Sequence, residues 1–287
     1  MSDSNKPLIK KICVITGATS GIGKETAKAL ALKGEHVIIV GRNLTKCEST
    51  VKTIKLETGS TNVDYFCTDL SDLSQVYSLA KALKQNYPRI DILMNNAGAY
   101  FRTRLESVDG HEMTLALNYL SPFLLTSLLI DMLNESNQGR IINVSSSAHF
   151  KGSINLEDLQ AKNNFDGFKA YAQSKLALML FSYQLARRLK NTNTTVNTLH
   201  PGLVATNFGK NNGLIRFYLR RLIKTNEISP LEGSRTCFYL ATSEDVAEIT
   251  GGYFVQGQQV RSSDASYNEK LAKQLWQVSE TLTNTSF

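Results

Sequence analysis

Short apolar, β-branched runs alternate with longer amphipathic stretches along almost the whole chain. Ile12-Cys13-Val14-Ile15 leads into a helical pattern over residues 21–32, and residues 36–40 lead into another that runs through Lys55. Further apolar runs fall at 63–67, 90–94, 141–144, 196–199 and 252–255. Strands that are continuously apolar and alternate with helices predict a parallel sheet covered on both faces. The expected fold class is α/β: one doubly wound domain with a parallel sheet of about seven strands and helices on both sides. No linker, repeat or low-complexity tract divides residues 1–287. Residues 1–135 and 136–287 are expected to form the two halves of that single domain.

Two segments stand out from the alternation. Residues 115–133 are apolar, but Asn118, Ser121, Pro122, Thr126, Ser127 and Asp131 interrupt them, which predicts a buried helix and not a membrane span. In residues 207–227, Leu214, Ile215, Phe217, Tyr218, Leu219, Leu222 and Ile223 are interleaved with Arg216, Arg220, Arg221 and Lys224. That pattern reads as a short basic amphipathic helix, with a lid, a peripheral membrane contact through 214–224 and a plain surface helix all open. Its place after a strand's carboxyl end, where open α/β sheets bind ligands, favours the lid as much as the plain helix.

Composition narrows the function. With 42% hydrophobic and 20% charged residues the chain can bury a large core. The formal charge of +7 suits general solubility or a polyanionic ligand, while the lack of a Lys/Arg block with interleaved aromatics argues against nucleic acid. Cys13, Cys47, Cys67 and Cys237 lie far apart, which argues against metal binding and disulfides, and Cys13 and Cys67 are expected to be buried in strands. The polar residues 1–7 do not read as a signal peptide or anchor, so a cytoplasmic location is expected, with membrane-surface contact left open.

Thr16-Gly17-Ala18-Thr19-Ser20-Gly21-Ile22-Gly23 lies between the first strand and first helix. Glycines there let the backbone approach a pyrophosphate at the helix N-terminus. The spacing is GxxxGxG, not the GxGxxG of the common dinucleotide fingerprint, so the context of strand, loop and helix carries the nucleotide reading. After the second strand, where a carboxylate would read the 2′-hydroxyl of NAD, stand Gly41 and Arg42. A 2′-phosphate could pair with Arg42, so NADP(H) is preferred over NAD(H), although Arg42 also reads as a solvent-facing loop residue. Tyr171 and Lys175 sit four residues apart on a long helical pattern and share a face. A fixed cation beside a phenol lowers its pKa towards a working range.

With these pieces placed, the chain resembles the short-chain dehydrogenase/reductase family, which has a Rossmann-type fold. Gly17/Gly21/Gly23, Asp69-Leu70, Asn95-Asn96-Ala97-Gly98, Asn118, Ser146, Tyr171/Lys175 and Pro201-Gly202 with Thr206 occur in the family's order across nearly the whole sequence. Asn143-Val144-Ser145-Ser146 with Ala148-His149, the Tyr171 helix, His200-Pro201-Gly202 and the tail around Trp276 resemble the retinol-dehydrogenase-like branch. Retinoid enzymes of that branch often carry an N-terminal anchor, which residues 1–7 do not resemble.

The resemblance implies a role for each residue. Tyr171 would exchange a proton with the substrate oxygen, and Lys175 would hold the nicotinamide ribose and depress the Tyr171 pKa. Ser146 would bond the same oxygen, and Asn118 would steady a water behind Lys175. Asp69 and Leu70 would meet the adenine, and Asn96, Ala97 and Gly98 the adenosine ribose. Pro201, Gly202 and Thr206 would meet the carboxamide and phosphate, and Thr19, Ser20 and Ile22 would complete the phosphate loop. Alternatives stay open at three sites: Asn118 as only a buried polar group of its helix, Ser145 or Ser147 for the working serine, and an N-cap role for Asp69 ahead of a helix beginning at Ser71. His149 and His200 read as structural or pocket-lining.

The activity expected is NADP(H)-dependent hydride transfer to or from a small apolar alcohol, aldehyde or ketone, as in a retinol dehydrogenase or broad carbonyl reductase. A non-catalytic NADP(H)-binding sensor or scaffold on the same fold is the alternative. A homodimer through the helices carrying Asn118 and Tyr171 and a monomer with those helices buried are both open.

Overall fold

The computed structural model describes residues 10–202 and 228–287. Thr206, the 207–227 lid and the 214–224 membrane contact lie outside the described residues.

Seven parallel strands form the sheet: β1 (Ile12–Thr16), β2 (His36–Gly41), β3 (Val63–Cys67), β4 (Ile92–Asn95), β5 (Gly139–Val144), β6 (Thr194–His200) and β7 (Gly252–Val255). An eighth strand, β8 (Gln258–Gln259), adds to β7 in the antiparallel sense and is exposed, so no apolar run announces it. The order is β3-β2-β1-β4-β5-β6-β7-β8. The chain therefore reverses its direction of travel between β1 and β4. At such a reversal the connections leave in opposite directions, and a crevice opens at the strands' carboxyl ends.

Seven helices connect and cover the described strands: α1 (Gly21–Leu32), α2 (Leu44–Thr58), α3 (Leu73–Asn86), α4 (Met113–Asn134), α5 (Gly167–Arg188), α6 (Pro230–Thr242) and α7 (Glu269–Thr283). Side chains of one strand alternate between the faces. Val14, Val40, Leu93 and Ile141 join α3, α4, α5 and α7 in one core. Cys13, Ile39, Met94 and Ile142 join α1, α2 and α6 in the other.

α4 is long and apolar enough to cross a membrane, but most of it is buried in the protein core, as its polar interruptions suggest. Its outer face is covered by the chain's own C-terminus. Trp276 of α7 packs its ring 5.2 Å from Phe123 of α4 and 5.6 Å from Phe181 of α5. The Arg188 guanidinium lies 4.0 Å above the same indole, and Tyr119 shares a 2.6 Å hydrogen bond with Ser279. The apolar face of α4 and α5 around Tyr119, Phe123 and Phe181 is therefore occupied by α7.

The cysteine reading needs one correction. Cys13 is buried, but Cys67 is exposed, because β3 is the sheet's edge strand and its burial falls away toward its carboxyl end.

Candidate active site

On the cofactor side the site is shaped by backbone. Gly17 and Gly21 have φ of 67° and 57°, a region L side chains avoid. A Cβ on Gly17 would lie 2.8 Å from the Ala97 Cα, and one on Gly23 would lie 2.5 Å from Asn96 Nδ2. Asn96 Nδ2 donates to the carbonyls of Thr16 and Gly17 at 2.8 and 3.3 Å, and the amides of Asn96 and Ala97 both donate to Thr16 Oγ1 at 3.0 Å. The residues expected near the ribose thus clamp the glycine loop itself.

The helix behind that loop differs from the others. Side chains of Asn43, Asp72, Glu112, Asp166, Ser229 and Asn268 cap α2, α3, α4, α5, α6 and α7. Ser20, the N-cap of α1, makes no side-chain cap bond. The first amides of α1 are the ones left for an anion, and its dipole favours negative charge there. Thr19 and Ser20 also line a cavity of about 290 Å³ with Lys24, Lys46, Ser49, Thr50 and Thr53. Arg42 is exposed and forms no ion pair with a described residue. A pyrophosphate-bearing nucleotide fits this cradle: open helix amides, close backbone approach and a cationic rim.

Asp69 holds the amide and hydroxyl of Ser71 at 3.0 and 2.7 Å. The N-cap reading fails, because α3 starts at Leu73 and Asp72 caps it. Leu70 is buried in the core beside Leu73 and Val76.

On the catalytic side the site is made of side chains. Asn118 lies in a π-helical turn, Ala116–Leu120, within α4. One extra residue per turn re-aims a side chain, and such turns favour functional positions. Asn118 Oδ1 accepts from the Ala99 amide at 2.8 Å, and its Nδ2 donates to the Ala99 carbonyl at 2.9 Å and to Ser174 Oγ at 3.1 Å. Gly98, Asn118 and Lys175 meet here: a Cβ on Gly98 would stand 3.2 Å from Asn118 Oδ1 and 3.4 Å from Lys175 Nζ.

Lys175 is only 4% exposed, which rules out a solvated helix face. Its Nζ donates to the Val144 carbonyl at 3.0 Å and lies 5.7 Å from the Tyr171 ring centre. Burial lowers the Lys175 pKa to about 8. Burial also raises that of Tyr171 to about 12, against a lowering hydrogen bond from Ser146. The expected depression by Lys175 is not found: desolvation outweighs the Ser146 hydrogen bond, and Lys175 is not among the causes of the shift.

The serine alternatives separate by geometry. Ser146 bonds Tyr171, Ser145 Oγ turns to the Lys175 carbonyl at 3.3 Å, and Ser147 is exposed. Pro201 and Gly202 follow β6, and Gly202 has φ of 91°. His149 is fully buried and His200 lies at the end of β6. Burial, with His149 nearby, pushes His200 down to about 4.

Residues 11–214 match the family model described as short chain dehydrogenase. The chain belongs to that family. The matched span holds the glycine loop, Asn118, Ser146, Tyr171 and Lys175. Human retinol dehydrogenase 13 is 37% identical over 93% of this chain and 82% of its own length. Human polyprenol dehydrogenase is 36% identical over 96% of this chain and 86% of its own. Within the short-chain dehydrogenases the chain is retinol-dehydrogenase-like. A solved structure of Pseudomonas aeruginosa RhlG in an NADP active-site complex superposes with a TM-score of 0.71 at 28% identity, covering 86% of this chain and 94% of that one. The chain is an α/β oxidoreductase of this family.

Sequence reasoning did not single out Tyr100, whose ring meets Tyr171 edge-on at 6.1 Å, or Ser174, which fixes Asn118. Tyr100 lies two residues past Gly98 and Ser174 beside Lys175, so proximity to the motifs was the signal available.

Proposed function

We propose that the protein is an NADP(H)-dependent oxidoreductase that reduces apolar aldehydes or ketones and oxidises the matching alcohols. The observation that carries this reading is the meeting of Ser146, Tyr171 and the buried ammonium of Lys175 beside Gly98. A nicotinamide bound in the crevice would supply or accept the hydride. The residues manage the proton. With a pKa near 12, Tyr171 stays a phenol at neutral pH, the form that donates to a carbonyl oxygen. Ser146 bonds the phenol and stands ready to polarise the same oxygen. Lys175 uses one donor on Val144, leaving two for ribose hydroxyls, and Asn118 holds the Ala99 backbone beside it.

NADP(H) over NAD(H) is supported by Arg42, exposed just after β2 and in no ion pair with a described residue, and by the lysines of the Thr19 cavity. An apolar substrate is supported by Phe168, one turn before Tyr171, and Phe150, on the turn after Ser146, which are 50% and 51% exposed. Relatives named for retinol and polyprenol point the same way, towards isoprenoid alcohols and aldehydes.

The test is NADPH consumption by the purified protein with isoprenoid, aliphatic and aromatic aldehydes. Tyr171→Phe should keep NADPH affinity and lose roughly 10³-fold in kcat, within the range expected for a lost general acid. Undiminished turnover would remove the mechanism. Arg42→Asp should cut the NADPH-over-NADH preference by about 10- to 100-fold, the worth of one charge-assisted bond. An unchanged ratio would move the phosphate contact elsewhere.

A further inference from the structure

We infer that His149 is a positioning residue for Ser146, fixing the serine against Tyr171 through a forced neutral imidazole. The inference rests on the proposed reductase reading and adds a residue to it.

Ser146 lies two residues past β5 in extended conformation and caps the 3₁₀ turn Ser147–Lys151. The Ser146 carbonyl accepts twice from one residue: from the His149 amide at 3.1 Å and from its Nδ1 at 2.7 Å. On the far side of the ring, Nε2 accepts from the Ser263 amide at 3.2 Å. A carbonyl can only accept and an amide N–H can only donate. Nδ1 must therefore carry the proton and Nε2 must be bare. Burial pushes the His149 pKa down, which agrees with that neutral form.

The contact is part of a closed circuit. The segment holding Ser263 is tied to α5, because Tyr183 shares a 2.7 Å hydrogen bond with Ser262, and Ser262 shares another of 2.7 Å with Ser266. Tyr183 lies on the helix that carries Tyr171. The Ser146 turn, His149, the Ser263 segment and α5 thus close on one another, setting the serine's place relative to the tyrosine. Edge contact with Tyr253 at 5.0 Å and packing on Phe150 at 4.2 Å hold the ring's plane. Ser146 Oγ accepts from the Ala148 amide at 3.2 Å, so the same turn leaves its proton to point at the tyrosine or the substrate oxygen.

Three variants separate the two ring contacts. In His149→Asn the shorter amide can donate in place of Nδ1; in His149→Gln the longer one can accept in place of Nε2; His149→Phe keeps only the bulk. With NADPH and a substrate aldehyde, Gln and Phe should lose about 10- to 100-fold in kcat, as misplacement of a reacting group does. Asn should stay within about fivefold of the unsubstituted protein, and the NADPH Kd should stay within about twofold in all three. Equal kcat in all variants, equal losses in all, or Gln outperforming Asn would overturn the inference. If the unsubstituted protein turns nothing over, the reductase reading fails instead. The unsubstituted protein gives a second measurement that needs no variant to fold: long-range ¹⁵N–¹H spectra at pH 7 should show His149 as the neutral Nδ1–H tautomer. An Nε2–H tautomer or an imidazolium would overturn the assignment.

Discussion

The two sides of the crevice are built by different means. On the cofactor side the working parts are backbone, glycines at positive φ and an uncapped helix start, held in place by the Asn96 side chain on the Thr16 and Gly17 carbonyls. On the catalytic side they are side chains, each held by a distant segment. Asn118 is fixed by Ser174, 56 residues away; Lys175 by the Val144 carbonyl, 31 away; and Tyr119, one residue after Asn118, by Ser279, 160 away. Asn96 too lies 80 and 79 residues from the carbonyls it clamps, but of the two sides it is the catalytic one that the C-terminal helix touches, through Tyr119 and Ser279. Damage to α7 should therefore reach catalysis before it reaches cofactor binding.

The largest expected effect tests that order. Trp276 is 2% exposed and packs on Phe123, Phe181 and Phe287. Trp276→Ala should cost about 3–5 kcal/mol, the usual range for truncating a buried large aromatic. Denaturant unfolding would read that loss. In the variant that remains folded, kcat should fall while the NADPH Kd holds, and a parallel loss of both would break the comparison. Size-exclusion chromatography of the same variant reads the second consequence. The unsubstituted chain should run as a monomer with its α4 and α5 face covered, and uncovering that face should favour self-association.

Gly17→Val attacks the other side. Its Cβ would meet the Ala97 Cα at 2.8 Å, in a conformation valine avoids. Strain of this kind costs of order 1–3 kcal/mol. NADPH affinity should drop by about 100-fold, read by quenching of protein fluorescence, with Tyr171 chemistry intact at saturating cofactor. An unchanged Kd would mean that the loop does not carry the pyrophosphate.

The same contrast explains what could be read from the chain beforehand. Strands β1 to β7, the glycine loop and the pairing of Tyr171 with Lys175 rest on local patterns: period, turn chemistry and helical spacing. The exposure of Cys67 did not follow from its apolar strand, because only the sheet order reveals β3 as the edge. The π turn at Asn118 has no sequence signature of its own, and the roles of Ser174, His149 and Trp276 depend on contacts made across the fold. The Tyr171 pKa shows the gap most directly. Spacing shows that a lysine is near but not how much water the fold removes, and here desolvation outweighs the Ser146 hydrogen bond.

Lys175 gives the smallest expected effect, and its sign is opposite. Burial lowers its pKa from 10.5 to about 8, so the folded state resists holding a charge that the unfolded chain holds freely. Below pH 8 both states are protonated and the penalty is present in full. Between pH 8 and 10.5 the unfolded chain binds the extra proton, so stability rises with pH; above 10.5 the penalty is gone. The shift corresponds to about 3 kcal/mol at most. A nearly isosteric Lys175→Met removes that cost but also the Nζ bond to Val144, worth about 1–2 kcal/mol. The variant should therefore be inactive yet about 1–2 kcal/mol more stable at pH 7. The gain should shrink as the pH is raised from 8 towards 10.5, measured by urea unfolding across that range. A destabilised variant at pH 7, or a gain that grows with pH, would show that the buried ammonium is not held against its own solvation, and the catalytic side would then be no more strained than the cofactor side.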